Sequence, residues 1–143
     1  MFKVLLVEDN TDLCELTEYL LVEEGIAVDS FDSAQEALVF ASSQTGLYDF
    51  CIFNYLMPGM TGLDLYQRLV AKGLTAKCLL CTGLYIDIEN EYMQVSGKVE
   101  LYRKPFDVYT LVHRIMSNLE VVDNKRAQPV SQYQSMGRIA SIT

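Results

Sequence analysis

With 143 residues, the chain has the length of one compact domain with room for a tail, and it is too short for a barrel enzyme. Hydrophobic residues make up 50% of it and charged residues 21%, a composition that supports a buried core rather than overall disorder. Lys and Arg number 11 against 19 Asp and Glu, a formal charge of −8, which repels phosphate backbones and anionic lipid, so neither direct nucleic-acid binding nor membrane-surface binding is expected.

The opening MFKVLLVEDN has no basic stretch followed by a long apolar run and a small-residue cleavage site. Nowhere do about 18 uncharged apolar residues run together. These features lead to the expectation of a cytoplasmic protein. Cys14, Cys51, Cys78 and Cys81 sit in apolar stretches and read as small buried hydrophobes in a reducing compartment, not as a disulfide framework.

In chain order, Phe2–Val7 is a short apolar run ending at acids, as suits a strand buried on both faces. From Asn10 to Glu24, Leu13, Leu16, Leu20 and Leu21 alternate with acids and Gly25 follows, the pattern of an amphipathic helix with a glycine stop. Ile26–Phe31 is a second strand, and Asp32 or Ser33 caps a helix over Ala34–Ser43. Tyr48–Tyr55 reads as a third strand, followed by the turn residues of MPGMTG and a helix over Leu63–Ala71. Lys77–Thr82 is a fourth strand, Asp87–Gln94 the weakest helix, Val99–Arg103 a fifth strand and Asp107–Leu119 a fifth helix.

Five strand–helix alternations predict a doubly wound α/β sandwich on a parallel sheet, because parallel strands need a crossover between them and here the crossover is helical. In such sheets chemistry gathers beyond the carboxyl ends of the strands, a rule that selects Glu8, Asp9, Asn54, Thr82 and Lys104. Two adjacent carboxylates repel unless a cation or a lysine offsets them, and hard oxygen ligands suit Mg²⁺. An octahedral site would take Asp9 directly, Glu8 through water and the backbone carbonyl of Leu56. Thr82 as a donor and Lys104 as a point charge would hold the oxygens of a phosphoryl group.

The motifs VLLVEDN, NYLMPGMTG, LLCTG and YRKPF, in that order, resemble the receiver domain of two-component response regulators, over roughly residues 1–120. The resemblance implies a flavodoxin-like (βα)5 fold with sheet order 2-1-3-4-5. It also implies an acidic pair, Glu8 and Asp9, that binds Mg²⁺, and a hydroxyl and a lysine, Thr82 and Lys104, that coordinate phosphoryl oxygens. The Lys104–Pro105 bond matches the family's usually cis peptide. The implied partners are a sensor histidine kinase or phosphotransfer protein, and a downstream protein or second receiver, in a possible homodimer. That contact would use the face formed by the Asp87–Gln94 helix, the Val99–Arg103 strand and the Asp107–Leu119 helix.

Where the family has its phospho-accepting aspartate, four residues before the proline of MPG, this chain has Asn54. A carboxamide is neutral, its nitrogen lone pair is delocalised, and it cannot form the acyl phosphate. It also removes a charge from the cluster, which weakens Mg²⁺ binding. Two origins stay open: a native pseudo-receiver read by a partner without phosphorylation, or an aspartate replaced to lock the unphosphorylated state. A second departure is Leu101, where the family commonly has a switching Phe or Tyr; Tyr102 follows, but strand neighbours point to opposite faces.

The expectation is therefore a non-enzymatic interaction module. A Mg²⁺-dependent phosphatase-like hydrolase of similar topology is the alternative, but it needs an aspartate nucleophile with a second acid two residues on, and Asn54-Tyr55-Leu56 has neither. A flavin binder would need donors where the loop EDNTD is acidic. Cys78 and Cys81 form a C-x-x-C on a strand, facing opposite sides, and His113 reads as a helix-surface or packing residue. Residues 121–143 change to a polar composition with Pro129 and Gly137 and read as a tail or linker, with no room for a DNA-binding output unit. The alternative reading of this segment is that Ile139 and Ile142 dock on the domain or on a second copy as an added strand.

Overall fold

The structure is a computed structural model that describes residues 1–83, 98–104 and 107–127, with side-chain detail to residue 120. The strands are β1 (Lys3–Val7), β2 (Ala27–Phe31), β3 (Phe50–Asn54), β4 (Lys77–Thr82) and β5 (Val99–Arg103). The helices are α1 (Thr11–Glu23), α2 (Ala34–Ala41), α3 (Gly62–Ala71) and α4 (Val108–Ala127), with a 3-10 turn at Thr45–Leu47. The Asp87–Gln94 helix, the Lys104–Pro105 peptide and the docking of Ile139 and Ile142 lie outside the described residues.

All strand pairs are parallel and the order is β2-β1-β3-β4-β5, the doubly wound arrangement that the element order predicts. The apolar runs of β1, β3 and β4 are buried throughout their central residues, because these three strands have neighbours on both sides and helices over their faces. The outer strands β2 and β5 are only partly buried, as expected at a sheet edge.

Local signals set the helix boundaries. Asn10 caps α1 by accepting from the Leu13 N–H at 3.1 Å, and Ser33, not Asp32, caps α2 through the Glu36 N–H. Helix α1 ends where Gly25 takes a φ of 83°, a left-handed conformation that glycine adopts without strain. Thr61 and Asp64 form a reciprocal capping box at α3.

The chain divides into two compact units, Met1–Phe106 and Asp107–Thr143. In the second, α4 continues to Ala127, beyond the expected helix end at Leu119 and into the segment read as tail. The sequence from Val121 to Ala127 holds no Pro or Gly, so polar composition alone does not break the helix. Leu111, Val112, Ile115 and Leu119 form its buried stripe and His113 is exposed. No described helix is long and apolar enough to cross a membrane.

In the first unit, Leu5, Val7, Cys51, Phe53, Cys78 and Leu80 join residues of α2 and α3 in one core cluster. Tyr66 is fully buried, stands edge-on to Phe53 with ring centroids 6.4 Å apart, and donates its hydroxyl to the Ala76 carbonyl at 2.6 Å. All four cysteines are free and buried. Cys78 belongs to the core cluster and Cys81 does not, as alternation along a strand requires. The nearest thiol neighbour of Cys78 comes instead from β3, where Cys51 is its register partner; a sequence separation of 27 residues carries no signal for that pairing.

Burial pushes the Cys14 thiol up to about 11 and Cys81 up to about 12, and it raises Cys51 and Cys78 as well. Thiolate is the reactive form. A chromogenic disulfide reagent at neutral pH should therefore react with all four cysteines in denaturant and with none of them rapidly in the native chain. Fast release from the native protein would contradict this burial.

Candidate functional site

Strands β1 and β3 are neighbours with Val7 opposite Phe53, so the next residues of each, Glu8 and Asn54, emerge side by side at the carboxyl edge. This edge is also the switch point of the sheet, because β1 has β2 on one side and β3 on the other. On the far side of β3, Asn54 is the register partner of Cys81, and the Tyr55 N–H donates to the Cys81 carbonyl at 2.7 Å. Thr82 ends β4, and its carbonyl accepts from the Lys104 N–H at 2.8 Å. The topology thereby gathers the ends of β1, β3, β4 and β5 on one edge.

Asn54 is buried at the floor of this edge. Its amide nitrogen donates to Asp9 Oδ1 at 2.7 Å and to the Leu56 carbonyl at 2.8 Å. Both partners are acceptors, which fixes the amide orientation and uses both N–H groups. Glu8 is buried as well. Its Oε1 receives Lys104 Nζ at 2.9 Å, and its Oε2 receives the Asn10 N–H at 3.1 Å. Burial raises the Glu8 carboxyl above its ordinary value of 4.5, while Lys104 and the Asn10 N–H pull it down. Thr82 is buried and Asp9 is exposed.

The predicted site residues thus form two hydrogen-bonded sets on one edge, Glu8 with Lys104 and Asn54 with Asp9 and Leu56, and Thr82 is tied to Lys104 through its backbone. Leu101 packs against the core cluster. Tyr102, the register partner of Cys81, points to the other face, as alternation predicts. The backbone contact that sequence reasoning missed is at Gly62, whose N–H donates to the Tyr55 carbonyl at 2.7 Å. A Cβ built there would stand 2.2 Å from the Asn54 carbonyl oxygen. A glycine in the first turn of a capped helix is the available signal, and it does not reveal what the backbone touches.

Mg²⁺ requires oxygen atoms turned toward it in octahedral geometry. Here Asp9 Oδ1 and the Leu56 carbonyl both face the nitrogen of Asn54, and both oxygens of Glu8 already accept donors. Among the described residues no group of three or more His, Cys, Asp or Glu side chains is placed to hold a metal ion. As arranged, the residues do not fit the cation.

A parallel sheet in this order, with a polar cluster at the carboxyl ends of its central strands, defines a doubly wound α/β domain. The sequence profile of the response regulator receiver domain matches residues 4–116. The chain belongs to that family. It is 32% identical over 114 residues to the response regulator RppA of Synechocystis, covering 79% of this chain and 48% of that protein. It is 30% identical over 137 residues to the transcriptional regulatory protein TctD of Salmonella typhimurium, covering 96% of this chain and 58% of that protein. The chain therefore spans about half the length of these curated relatives. Among solved structures it resembles the receiver domain of the hybrid histidine kinase CckA, with TM-score 0.69 and 26% identity over 82% of this chain and 98% of that one. Receiver domains are in general non-enzymatic signalling modules that bind Mg²⁺ at their phosphorylation site.

Proposed function

We propose that residues 1–120 form a receiver unit of a two-component system that does not take a phosphoryl group at residue 54 and works through protein–protein contact. The observation that carries this reading is Asn54 itself. Its neutral carboxamide is buried at the end of β3 beside Asp9, in the position where the family's nucleophile would stand. An amide has no anionic oxygen to attack phosphorus. In this reading Glu8 and Asp9 are the acidic pair and Thr82 and Lys104 the phosphoryl-coordinating positions. Leu101 holds the position of the family's switching aromatic, and Tyr102 beside it faces the other side of β5 and does not replace it. The loss of one carboxylate weakens the cluster for Mg²⁺.

The partners are a sensor histidine kinase or phosphotransfer protein on the input side, and a downstream protein or second receiver on the output side. The output contact is through the face that includes β5. If asparagine is the natural residue the chain is a pseudo-receiver read without phosphorylation; if it replaced an aspartate the chain is an ordinary switch locked in its unphosphorylated state. The phosphatase-like alternative gains no support, since the family match is to receiver domains and Asn54-Tyr55-Leu56 lacks both required acids.

The test is Asn54→Asp incubated with acetyl phosphate and Mg²⁺ beside the unaltered chain. In the variant the carboxylate attacks phosphorus, a new O–P bond forms, the donor's P–O bond breaks and acetate leaves. Intact-mass measurement should show one added phosphoryl group on the variant and none on the unaltered chain. A phosphoryl group on residue 54 of the unaltered chain, or an inert variant, would overturn the reading.

A further inference from the structure

We infer that the Asn54 carboxamide is a built-in substitute for the divalent cation, so that the two loops flanking it are held together without metal and the chain is indifferent to Mg²⁺. The inference rests on the reading of residue 54 as the centre of the site and concerns what fills that centre.

Three oxygen-bearing groups converge on this edge: the Glu8 carboxylate, the Asp9 carboxylate and the Leu56 carbonyl. Left alone they repel one another and each needs a positive partner. Lys104 and the Asn10 N–H satisfy Glu8. The remaining two, Asp9 Oδ1 and the Leu56 oxygen, are the atoms a cation would bridge, and the Asn54 amide nitrogen bridges them at 2.7 and 2.8 Å. An NH₂ group has two donors, and both are used.

For a cation to enter, both hydrogen bonds must break and the amide must turn by half a rotation to offer its oxygen. The ion must also lose hydration water that Mg²⁺ gives up reluctantly, in a site holding one negative charge fewer than an aspartate would supply. The amide thus occupies the site and closes it. Asp9, on the loop after β1, and Leu56, on the loop after β3, are bound to one side chain at any cation concentration. The outward surface of these loops, including the exposed Leu56 side chain, is presented in one fixed arrangement rather than in a metal-dependent one.

Thermal unfolding of the full chain in chelator and in millimolar MgCl₂ tests this directly, because a ligand that binds only the native state must raise its midpoint. The unaltered chain should melt at the same temperature in both. Asn54→Asp loses both donors and gains a carboxylate, so it should melt lower in chelator and rise on titration with Mg²⁺. Paramagnetic Mn²⁺ should broaden the backbone NMR signals of residues 8–10 and 54–56 in the variant and leave them sharp in the unaltered chain. A saturable rise in the midpoint of the unaltered chain, or Mn²⁺ broadening of those signals in it, would overturn the inference. A variant that responds to Mg²⁺ but takes no phosphoryl group would sink the functional reading and leave this one standing.

Discussion

Gly62→Ala is expected to destabilise the first unit by roughly 2–3 kcal/mol, the upper part of the range for forcing an extra carbon into a packed interior, and to lower the unfolding midpoint by about 10 °C. The added Cβ would lie 2.2 Å from the Asn54 carbonyl oxygen and 2.8 Å from a Leu80 methyl. The Leu80 side chain can turn away. The carbonyl cannot, because Asn54 is paired in β3 with β4 and its side chain is fixed by Asp9 and Leu56. Alanine would return at most about 1 kcal/mol of helix propensity, less than the clash costs, so the sign is settled by the contact. Urea denaturation measures the loss, and Gly62→Ser should be at least as damaging. A Gly62→Ala chain as stable as the parent would mean that α3 can slide outward and that the close approach does not position residue 54.

The same contact marks the boundary of what the sequence shows. The strand–helix order, the parallel sheet and the carboxyl-edge cluster were legible, because apolar runs bounded by acids, glycines and caps are local signals, and the sheet rule converts strand ends into neighbours. Strands β4 and β5 fall where the apolar runs place them. The partner of each polar group was not legible. Lys104, read as a point charge for a phosphoryl group, is paired with Glu8. The residue type at 54 gives the missing charge but not that the amide nitrogen lies between two oxygens. Such pairings depend on rotamers and register across strands far apart in the chain, which no periodicity encodes. The extent of α4 escaped for a different reason. A run of polar residues without Pro or Gly suits a solvated helix as well as it suits a tail.

Lys104→Met should destabilise the chain by about 1–3 kcal/mol at neutral pH. Removing one member of a buried pair costs roughly 3–5 kcal/mol, but here the Lys104 side chain is 27% exposed and Glu8 keeps the Asn10 N–H, so the loss is smaller. The pH dependence identifies the cause. The Glu8 carboxyl already sits above 4.5 because it is buried, and Lys104 is the strongest of the influences that lower it; without the lysine it rises further. The native state then binds a proton more tightly than the unfolded chain does, so ∂ΔG/∂pH from this group is negative between 4.5 and its folded value. Its contribution is fully present below 4.5 and is lost as pH rises through the folded value. The gap between parent and variant should accordingly be largest at neutral pH and shrink on acidification, as Glu8 takes up a proton and no longer needs a cation. Adding Glu8→Gln to Lys104→Met should flatten that dependence, and the double-mutant cycle gives the coupling energy of the pair. A gap that is constant with pH would mean that the lysine stabilises through packing of its methylene stem, and that its charge does not support Glu8.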